Sequence, residues 1–544
     1  LALRSSAKAV ARSLLKKSIK RNGGLPKRGT SKKPRKDKKQ CPCTIKLGGK
    51  KRQGDRLLKK AGSKPKEDEC VDLQLHSVRF LDDLTIHKDM VGRADPITGA
   101  EWENSSLKQF KNEPVGYAGG TQMRVEVKFK VIRPPKEKAV TGLIKGVTTV
   151  KKKDGSKIGI ELLMKPGEKV TLPKGSTGLV GPLILRAKNN QKDIDWEKMT
   201  QFYNQMEIDW KFAPTTTPTD ADFKPVDSSE HQVYVTLNKP LNPLNLKEGE
   251  VFLTVLHLAT SNSGAKDDAE AVWNTWQLFA EIKNNPQNKY RSESLGPKGV
   301  KNWKGDPIFY YPEGLGLWDC SGTFEDFLIA KKNLVMLELG LIEEDKKNIL
   351  YGSCGYMADL FRESLKVNHI DSQIIDATAE AESTDENAPG LILIKHWALP
   401  DDPERQSYPN EPEYKWYLHL HEDSMVSAIK TGEVGEDGLT YGDIKNVLNG
   451  LPGQHVETPS EKIFGNHGIV KVLLKEFQHR PYFDPSYGKT YIDERDFENK
   501  AVDGYANPLY KKDKKGKKIP HFYHYKVRRS EGLNNIHFEL IEYY

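Results

Sequence analysis

Cys354 lies in a segment whose residues suit nucleophilic chemistry. The run Tyr351-Gly-Ser-Cys-Gly-Tyr-Met places Ser353 where a helix N-cap is expected and Cys354 in the first helical turn. The positive end of a helix dipole favours the thiolate, which is the nucleophilic form of cysteine. A lone cysteine is also common as a small buried apolar residue, so a catalytic role requires a base.

His467 and Asp484 are the residues that can complete such a site. The segment Gly-Asn-His-Gly-Ile-Val predicts that His467 opens a strand, and Pro-Tyr-Phe-Asp-Pro predicts a returning strand that ends at Asp484. With a turn centred near residues 475 and 476, the antiparallel register places His467 roughly opposite Asp484. A carboxylate beside an imidazole fixes its tautomer, and the imidazole can then deprotonate a thiol.

His396 is the alternative base. It lies 42 residues after Cys354, whereas His467 lies 113 residues after it, so residues around 378–460 would have to be an insertion. However, the run LILIKHW around His396 has the pattern of a buried strand, and no Asp-Pro partner follows it. We therefore favour His467 as the base and keep His396 as the alternative.

Other parts of the site are less well defined by the sequence. The backbone N–H of Cys354 is the first expected donor to an oxyanion, because it points out of a helix start. Trp318 and Tyr351 are candidates to line an acyl pocket, although core packing explains them equally well. A Cys-His-Asp site needs no cofactor or metal, and the sequence has no Asp-x-Asp-x-Asn-Gly calcium loop.

The order of these motifs resembles the transglutaminase-like branch of the papain-like cysteine enzyme superfamily. The resemblance covers residues 249–510 and is strongest to uncharacterised bacterial members with Gly-Asn-His-x-Ile-Val and Tyr-x-Asp-Pro-Ser-Tyr-Gly segments. It implies an α+β papain/transglutaminase-like fold. It also implies that Cys354 is the nucleophile, His467 the general base and acid, and Asp484 the orienting carboxylate.

The elements before this region have mostly the period of two that is typical of strands. Met123, Val125 and Val127 alternate with charged residues, and Gly- and Pro-rich breaks separate the candidate strands. We therefore predict an all-β sandwich-like domain, with an exposed hairpin or loop at residues 139–157. Further strands are predicted at residues 158–164, 170–172, 181–187, 206–212 and 233–237.

From about residue 246 the pattern becomes mixed. Residues 249–264 predict a strand or buried segment, and residues 267–282 predict a helix whose apolar face includes Trp273. The C-terminal runs at residues 469–477, 481–487, 522–528 and 536–544 predict sheet strands. The predicted regions are a basic, largely disordered arm at 1–70, a β-sandwich-like domain at 71–245 and a transglutaminase-like domain at 246–544.

The charge of the chain is divided unevenly. Residues 1–66 contain 24 of the 85 Lys and Arg residues but only two of the 75 Asp and Glu residues, so this segment is +22 and the remainder is −12. Such a segment is expected to be disordered alone and to serve as a tail or a signal for a secretion or injection apparatus. We do not expect nucleic-acid binding, because no aromatic residues between the charges offer a stacking platform.

Together these features predict a thiol-dependent acyl-transfer enzyme, either a peptidase, a deamidase or a transglutaminase, that acts on a protein or peptide. The alternative is a catalytically inactive binding or structural protein whose β-sandwich binds a partner. Residues 1–22 lack the apolar run of a secretory signal, and no run is long enough to span a membrane. The architecture suggests a bacterial effector or toxin cargo that is cytoplasmic in the producing cell and exported without a Sec signal.

Overall fold

The computed structural model describes most of the chain after residue 70. The described ranges are 71–90, 93–104, 111–151, 155–189, 192–241, 246–280, 300–310, 323–330, 350–379, 391–394, 413–419, 454–455, 463–464, 466–512, 518–528 and 536–540. The predicted basic arm therefore lies outside the described residues.

The first half of the described chain is built from strands. They are β1 (Asp72–Leu81), β2 (Thr85–Met90), β3 (Arg93–Pro96), β4 (Trp102–Glu103), β5 (Lys111–Asn112), β6 (Val115–Ala118), β7 (Arg124–Arg133), β8 (Val140–Lys151), β9 (Lys157–Met164), β10 (Val170–Leu172), β11 (Gly178–Asn189), β12 (Lys192–Asp193), β13 (Gln201–Ala213) and β14 (Lys224–Thr236). All of them except β2 and β3 belong to one 12-stranded sheet.

This sheet curls so that one face encloses a hydrophobic core. Its main order is β5-β4-β1-β7-β11-β9-β8-β13-β14-β6, with β10 beside β8 and β12 beside β11. Although β1 and β14 are far apart in this order, the Leu75 N–H donates to Asp227 Oδ2 at 3.1 Å. Val125, Val127 and Phe129 of β7 are completely buried, as their alternation predicts. The predicted all-β character of this region is confirmed, and its strands form one large curled sheet, whereas the sandwich stays a prediction.

The prediction for residues 139–157 is confirmed as a hairpin but wrong about its exposure. Strand β8 forms an antiparallel hairpin with β9, yet it also pairs with β13 on its other side and much of it is buried. Lys145 of this segment does not mark an exposed loop, because its side chain is buried. Its ammonium group lies 3.1 Å from Glu161 and 2.7 Å from Asp220, and this pairing offsets the cost of burying the charge.

Five α-helices follow the curled sheet within the described residues. They are α1 (Leu253–Ser261), α2 (Asp268–Phe279), α3 (Phe324–Leu328), α4 (Cys354–Val367) and α5 (Glu494–Ala501). The segment predicted as a strand or buried stretch at 249–264 is mostly α1, whereas the predicted helix at 267–282 is confirmed as α2. Trp273 of α2 is 46% exposed, so its assignment to the buried face is wrong.

The remaining strands form smaller sheets. They are β15 (Glu250–Phe252), β16 (Ile308–Tyr310), β17 (Leu350–Gly352), β18 (Ser372–Ala379), β19 (Leu391–Ile394), β20 (Glu413–His419), β21 (Ile463–Phe464), β22 (Asn466–Val472), β23 (Tyr482–Asp484), β24 (Lys489–Tyr491), β25 (Val502–Lys512), β26 (Lys518–Arg528) and β27 (Ile536–Leu540). One five-stranded sheet has the order β24-β23-β22-β18-β27, and another has the order β20-β26-β25-β19-β21. The described strands of the expected insertion at 378–460 thus pair mainly with C-terminal strands.

Helix α4 is central to this half of the molecule. It packs against β18, β22, α1 and α2. Ala358, Phe361 and Leu365 are completely buried, as their spacing predicts. The polar side of the helix is enclosed as well, since Arg362 is buried and donates to Asp359 Oδ1 at 2.9 Å. A helix buried on all sides gives its first residue a well-defined position.

The two halves of the described chain share some structure. One hydrophobic core contains residues from Leu73 to Val235, and the other runs from Val251 to Ile536 but also includes Ile86, Tyr234 and Leu237. Strand β15 pairs with β2, which carries Ile86, in a three-stranded sheet with β3. The division of the chain into domains at residues 70 and 245 stays a prediction.

Candidate active site

Cys354 is the first residue of α4. Ser353 is the N-cap, as predicted, and the first turn closes with a hydrogen bond from the Met357 N–H to the Ser353 carbonyl at 3.0 Å. The Ser353 side chain makes no capping hydrogen bond. The N–H groups of Cys354 and Gly355 therefore have no side-chain cap and can receive a negatively charged oxygen. Cys354 is a free thiol and is partly exposed.

His467 is the second residue of β22, opposite Ala377 of β18. The next residue, Gly468, lies against the start of α4: a Cβ atom added there would lie 3.4 Å from Gly355 Cα and 3.5 Å from the Cys354 carbonyl carbon. These are ordinary van der Waals distances, so the strand and the helix start are in direct contact. This packing brings the histidine to the cysteine across 113 residues of sequence.

Asp484 ends β23, which is antiparallel to β22. The observed register pairs Val470 with Phe483 and Lys471 with Tyr482. Continuing that register places Asp484 opposite Ile469, two residues along the strand from His467. The two residues are therefore roughly opposite, as predicted, with an offset of two residues, and the connection between the strands contains a 3₁₀ turn at Lys475–Phe477. A shift of two keeps both side chains on one face, and Asp484 Oδ2 lies 3.0 Å from His467 Nε2.

Four hydrogen-bond donors surround the Asp484 carboxylate. Oδ2 accepts from His467 Nε2 and from the Tyr491 hydroxyl at 3.1 Å, and Oδ1 accepts from the N–H groups of Ser486 and Tyr487 at 3.1 and 3.3 Å. An ionised carboxylate offers about four lone-pair sites, so this arrangement suits the charged form. Asp484 and His467 are both completely buried.

The imidazole of His467 is poised to carry a positive charge. Burial alone would lower the pKa of His467, but the charge and hydrogen bond of Asp484, together with the hydrogen bond and charge of Cys354, raise it well above its ordinary value. Because Nε2 is engaged by Asp484, Nδ1 is the ring nitrogen available to the thiol. Cys354, His467 and Asp484 are thus brought together in a chain of polar contacts.

Aromatic rings shield the imidazole from water. The ring of Tyr487 lies 5.4 Å from that of His467, and Phe497 of α5 stacks on the histidine at 6.0 Å with an interplanar angle of 28°. A low-dielectric surrounding strengthens the attraction between the imidazolium and its anionic neighbours.

A second carboxylate lies close to the site. Asp376 of β18 is the cross-strand partner of Gly468 and accepts a hydrogen bond from the Asn466 side chain at 2.6 Å. Burial raises the pKa of Asp376, while the Asn466 hydrogen bond and the charge of His467 act in the opposite direction. Asp376 is therefore close enough to feel the charge of the imidazole, although it pairs with Gly468 and not with His467.

Beside the thiol, an aromatic pair closes the other side of the helix start. Phe327 of α3 stacks on Tyr356 with ring centroids 5.0 Å apart and an interplanar angle of 11°. A Cβ atom added at Gly352 would lie 3.1 Å from each of these two residues, so a larger residue there would require them to shift slightly. This pair was not predicted, because α3 and α4 are separated by a long stretch of sequence.

Several predicted residues cannot be placed in the site. Trp318 and His396 lie outside the described residues, and so do the contacts proposed for them. Tyr351 pairs through its backbone with Phe309 of β16, while its side chain is outside the description. The pocket residues and the alternative base therefore stay predictions.

Tyr491 is the residue that sequence reasoning missed. Strands β23 and β24 form a hairpin in which Asp484 pairs with Lys489 and Tyr482 with Tyr491. A side-chain period of two then places Tyr491 on the same face as Asp484. The signal was the Pro-Ser-Tyr-Gly turn after Asp484, which sets this register.

The chain was compared with known proteins. No protein-family model matches it, and no curated protein matches it. The resemblance to transglutaminase-like enzymes therefore stays a prediction that depends on the motifs and on the site geometry. No helix among the described residues is both long and apolar enough to cross a membrane.

Proposed function

We propose that the protein is a thiol-dependent acyl-transfer enzyme of transglutaminase-like type, with Cys354 as nucleophile, His467 as general base and acid, and Asp484 as the orienting carboxylate. The observation that carries the proposal is the contact chain from a helix-start thiol to a fully buried imidazole and carboxylate. This constellation has the three roles that nucleophilic acyl transfer requires.

The proposed reaction has two steps. Cys354 Sγ attacks the carbonyl carbon of an amide or ester while His467 takes the thiol proton, and the oxyanion binds the N–H groups of Cys354 and Gly355. The C–N or C–O bond then breaks, and His467 gives its proton to the leaving amine or alcohol. In the second step water or an amine attacks the thioester, His467 accepts the proton of this nucleophile, and the thiolate leaves.

The properties of His467 support this scheme. An imidazole with a raised pKa can take the thiol proton and then give it to the leaving group. Asp484 points at the nitrogen that does not face the thiol, so it holds the tautomer needed for proton transfer.

The acyl acceptor distinguishes three activities of this class. Water acting on a peptide bond makes a peptidase, water acting on a glutamine side chain makes a deamidase, and an amine makes a transglutaminase. Three assays on the full chain separate them: cleavage of casein, release of ammonia, and incorporation of a fluorescent amine into casein. Cys354→Ala is the control for each assay.

Thiol reactivity tests the proposal directly. Full-length protein is treated with iodoacetamide at pH 6.5, and peptide mass spectrometry assigns the alkylated cysteine. We expect Cys354 of the wild type to be alkylated at least about 10-fold faster than Cys354 of a His467→Asn variant, because His467 can accept the thiol proton. His479→Asn, which changes an exposed histidine outside the site, is the matched control. A Cys354 that reacts only after the chain unfolds would refute the enzyme proposal.

The basic segment at residues 1–66 supports a further part of the proposal, namely that the enzyme is an effector or toxin cargo delivered by a secretion apparatus. Deleting this segment should abolish delivery in a bacterial secretion assay while Cys354 in the purified protein keeps its reactivity. Delivery that is unaffected by the deletion would contradict this assignment.

One observation favours a second function, the binding of a partner or ligand by the curled sheet. A cleft of about 290 Å³ lies between the start of β13 and the connection from α1 to α2, lined in part by Gln201, Tyr203 and Asn262. Ligand pockets usually have volumes of about 300–1,000 Å³, so this cleft lies at the lower end of that range. If Cys354 is unreactive, binding at this cleft is the function to test, and Tyr203→Ala should weaken that binding.

A further inference from the structure

We infer that Tyr491 is a positioning residue that tunes the protonation of His467 through the oxygen of Asp484 that both residues share. The inference rests on the proposed function, because it assigns a fourth residue to the same site. Its support is geometric and comes from β24, α5 and the Asp484 carboxylate.

The Tyr491 hydroxyl and His467 Nε2 donate to the same atom. Their distances to Asp484 Oδ2 are 3.1 and 3.0 Å, and Tyr491, His467 and Asp484 are all completely buried. A buried oxygen that holds a negative charge shares that charge among its donors. The hydroxyl therefore competes with the imidazole for the negative charge at Oδ2.

Orientation of the carboxylate does not require Tyr491. The N–H groups of Ser486 and Tyr487 already hold Oδ1 at 3.1 and 3.3 Å. Removing the tyrosine hydroxyl should leave the carboxylate in place and change mainly the charge available to His467. This separates an electrostatic role from a merely structural one.

The side chain of Phe497 packs against both Tyr491 and His467. Phe497 of α5 contacts the Tyr491 ring edge-on at 4.9 Å and stacks on His467 at 6.0 Å. Packing of this kind fixes the side-chain torsions, so the hydroxyl stays directed at Asp484. Burial, followed by the charge and hydrogen bond of Asp484, raises the pKa of Tyr491 well above its ordinary value, so it remains a donor.

Other ionisable groups must be considered in any pH measurement. Around the imidazole these are Asp484 of β23, Cys354 of α4 and Asp376 of β18. Around the phenol, the ionisable groups are Asp484, Tyr487 and Asp496 of α5. None of these groups is altered by replacing Tyr491 with phenylalanine, so a change in the profile reports the lost hydroxyl.

The test measures alkylation of Cys354 by iodoacetate between pH 5 and pH 10 in the full chain. Iodoacetate is an anion and reacts faster while His467 is protonated, so the alkaline limb of the profile reports the imidazole. In Tyr491→Phe we expect this limb to move to higher pH by about half a unit or more, because Asp484 then stabilises the imidazolium more strongly. Site-specific 3-fluorotyrosine at position 491 strengthens the donor and should move the limb to lower pH.

Tyr117→Phe is the matched control, since Tyr117 is also completely buried and its hydroxyl donates to backbone carbonyls within the curled sheet. It should leave the alkaline limb unchanged. An unchanged limb in the folded Tyr491→Phe variant would overturn the inference. If that variant does not fold, an unchanged limb with 3-fluorotyrosine overturns it instead. Failure of the proposed function is distinguished by a wild-type Cys354 that does not react at all.

Discussion

His231 in the curled sheet and His467 beside Cys354 are both completely buried, yet they have opposite protonation behaviour. Burial lowers the pKa of His231 to about 3, because its partner is the neutral hydroxyl of Ser229 at 2.7 Å. Burial acts on His467 in the same direction, but Asp484 and Cys354 outweigh it. An ionised partner, and not burial itself, decides whether an enclosed imidazole can carry a proton.

The surroundings of the two histidines differ in the same way. Ser229 also accepts a hydrogen bond from Trp210 Nε1 at 2.9 Å, and the three side chains form a chain within the core. Nδ1 of His231 has no hydrogen-bond partner within the described part of the protein. This contact between a serine and a histidine therefore differs from the site at Cys354, because no carboxylate among the described residues bonds to this imidazole, which is completely buried.

The largest expected effect comes from removing each imidazole. His467→Asn should lower acyl transfer by about 10³-fold or more, since loss of a triad member leaves only binding and oxyanion stabilisation. His231→Asn should leave acyl transfer within about two-fold and cost about 1–3 kcal/mol in the free energy of unfolding. Steady-state kinetics and denaturant titration of both variants measure these effects. Equal losses of activity would contradict the comparison.

A second variant makes the two environments alike. Asp484→Ser gives His467 a neutral hydroxyl in place of its carboxylate, as His231 has. The alkaline limb of iodoacetate alkylation should then move to lower pH, and acyl transfer should fall by about 10²-fold or more, because the imidazolium loses the carboxylate charge and keeps only Cys354 as a stabilising partner. Ser486→Ala, which leaves the backbone donor of residue 486 intact, is the control. If the pH profile of alkylation in Asp484→Ser matches that of the wild type, the carboxylate is not what raises the pKa of His467.

Stability should respond to pH in opposite directions at the two histidines. The folded pKa of His231 is depressed, so its contribution is complete above about pH 6.5 and is lost as the pH falls towards about 3, at about 1.4 kcal/mol per unit. The folded pKa of His467 is raised, so its contribution is complete below about pH 6.5 and is lost as the pH rises through that folded value. Between pH 7 and pH 5, wild-type protein should lose about 2 kcal/mol relative to His231→Asn. Denaturant titrations at both pH values measure this, and equal changes in the two proteins would contradict it.

Two glycines provide the smallest contrast. A Cβ atom added at Gly142 in β8 would lie 2.1 Å from the Ala213 carbonyl oxygen, whereas one added at Gly468 would be 3.4 Å from Gly355. Gly142→Ala should therefore cost about 1–3 kcal/mol through overpacking against the backbone. Gly468→Ala should cost less than about 1 kcal/mol, because its contacts are of ordinary length. Thermal unfolding of both variants measures the two losses of stability, and a larger loss for Gly468→Ala than for Gly142→Ala would contradict this prediction.

Much of the local structure could be predicted because burial imposes a short repeat on the sequence. The alternation in β7, the N-cap at Ser353 and the burial of Phe361 all follow from neighbours only a few residues away. The contact between His467 and Asp484 could also be predicted, because the two residues lie on adjacent strands of one hairpin. An offset of two residues in the register leaves both side chains on the same face of the sheet. Glycine and lysine in β8 misled the prediction, because their role depends on neighbouring strands.

The sequence by itself determined which residues alternate, which cysteine starts a helix, and which histidine and aspartate share a hairpin. Only the tertiary structure decided that Gly468 packs against Gly355, that one sheet curls around the first core, and that Tyr491 shares an oxygen with His467. The physical reason is the distance along the sequence over which each feature is set. Local patterns indicate whether a side chain is buried, whereas the residue that it contacts depends on the packing of segments far apart in the chain.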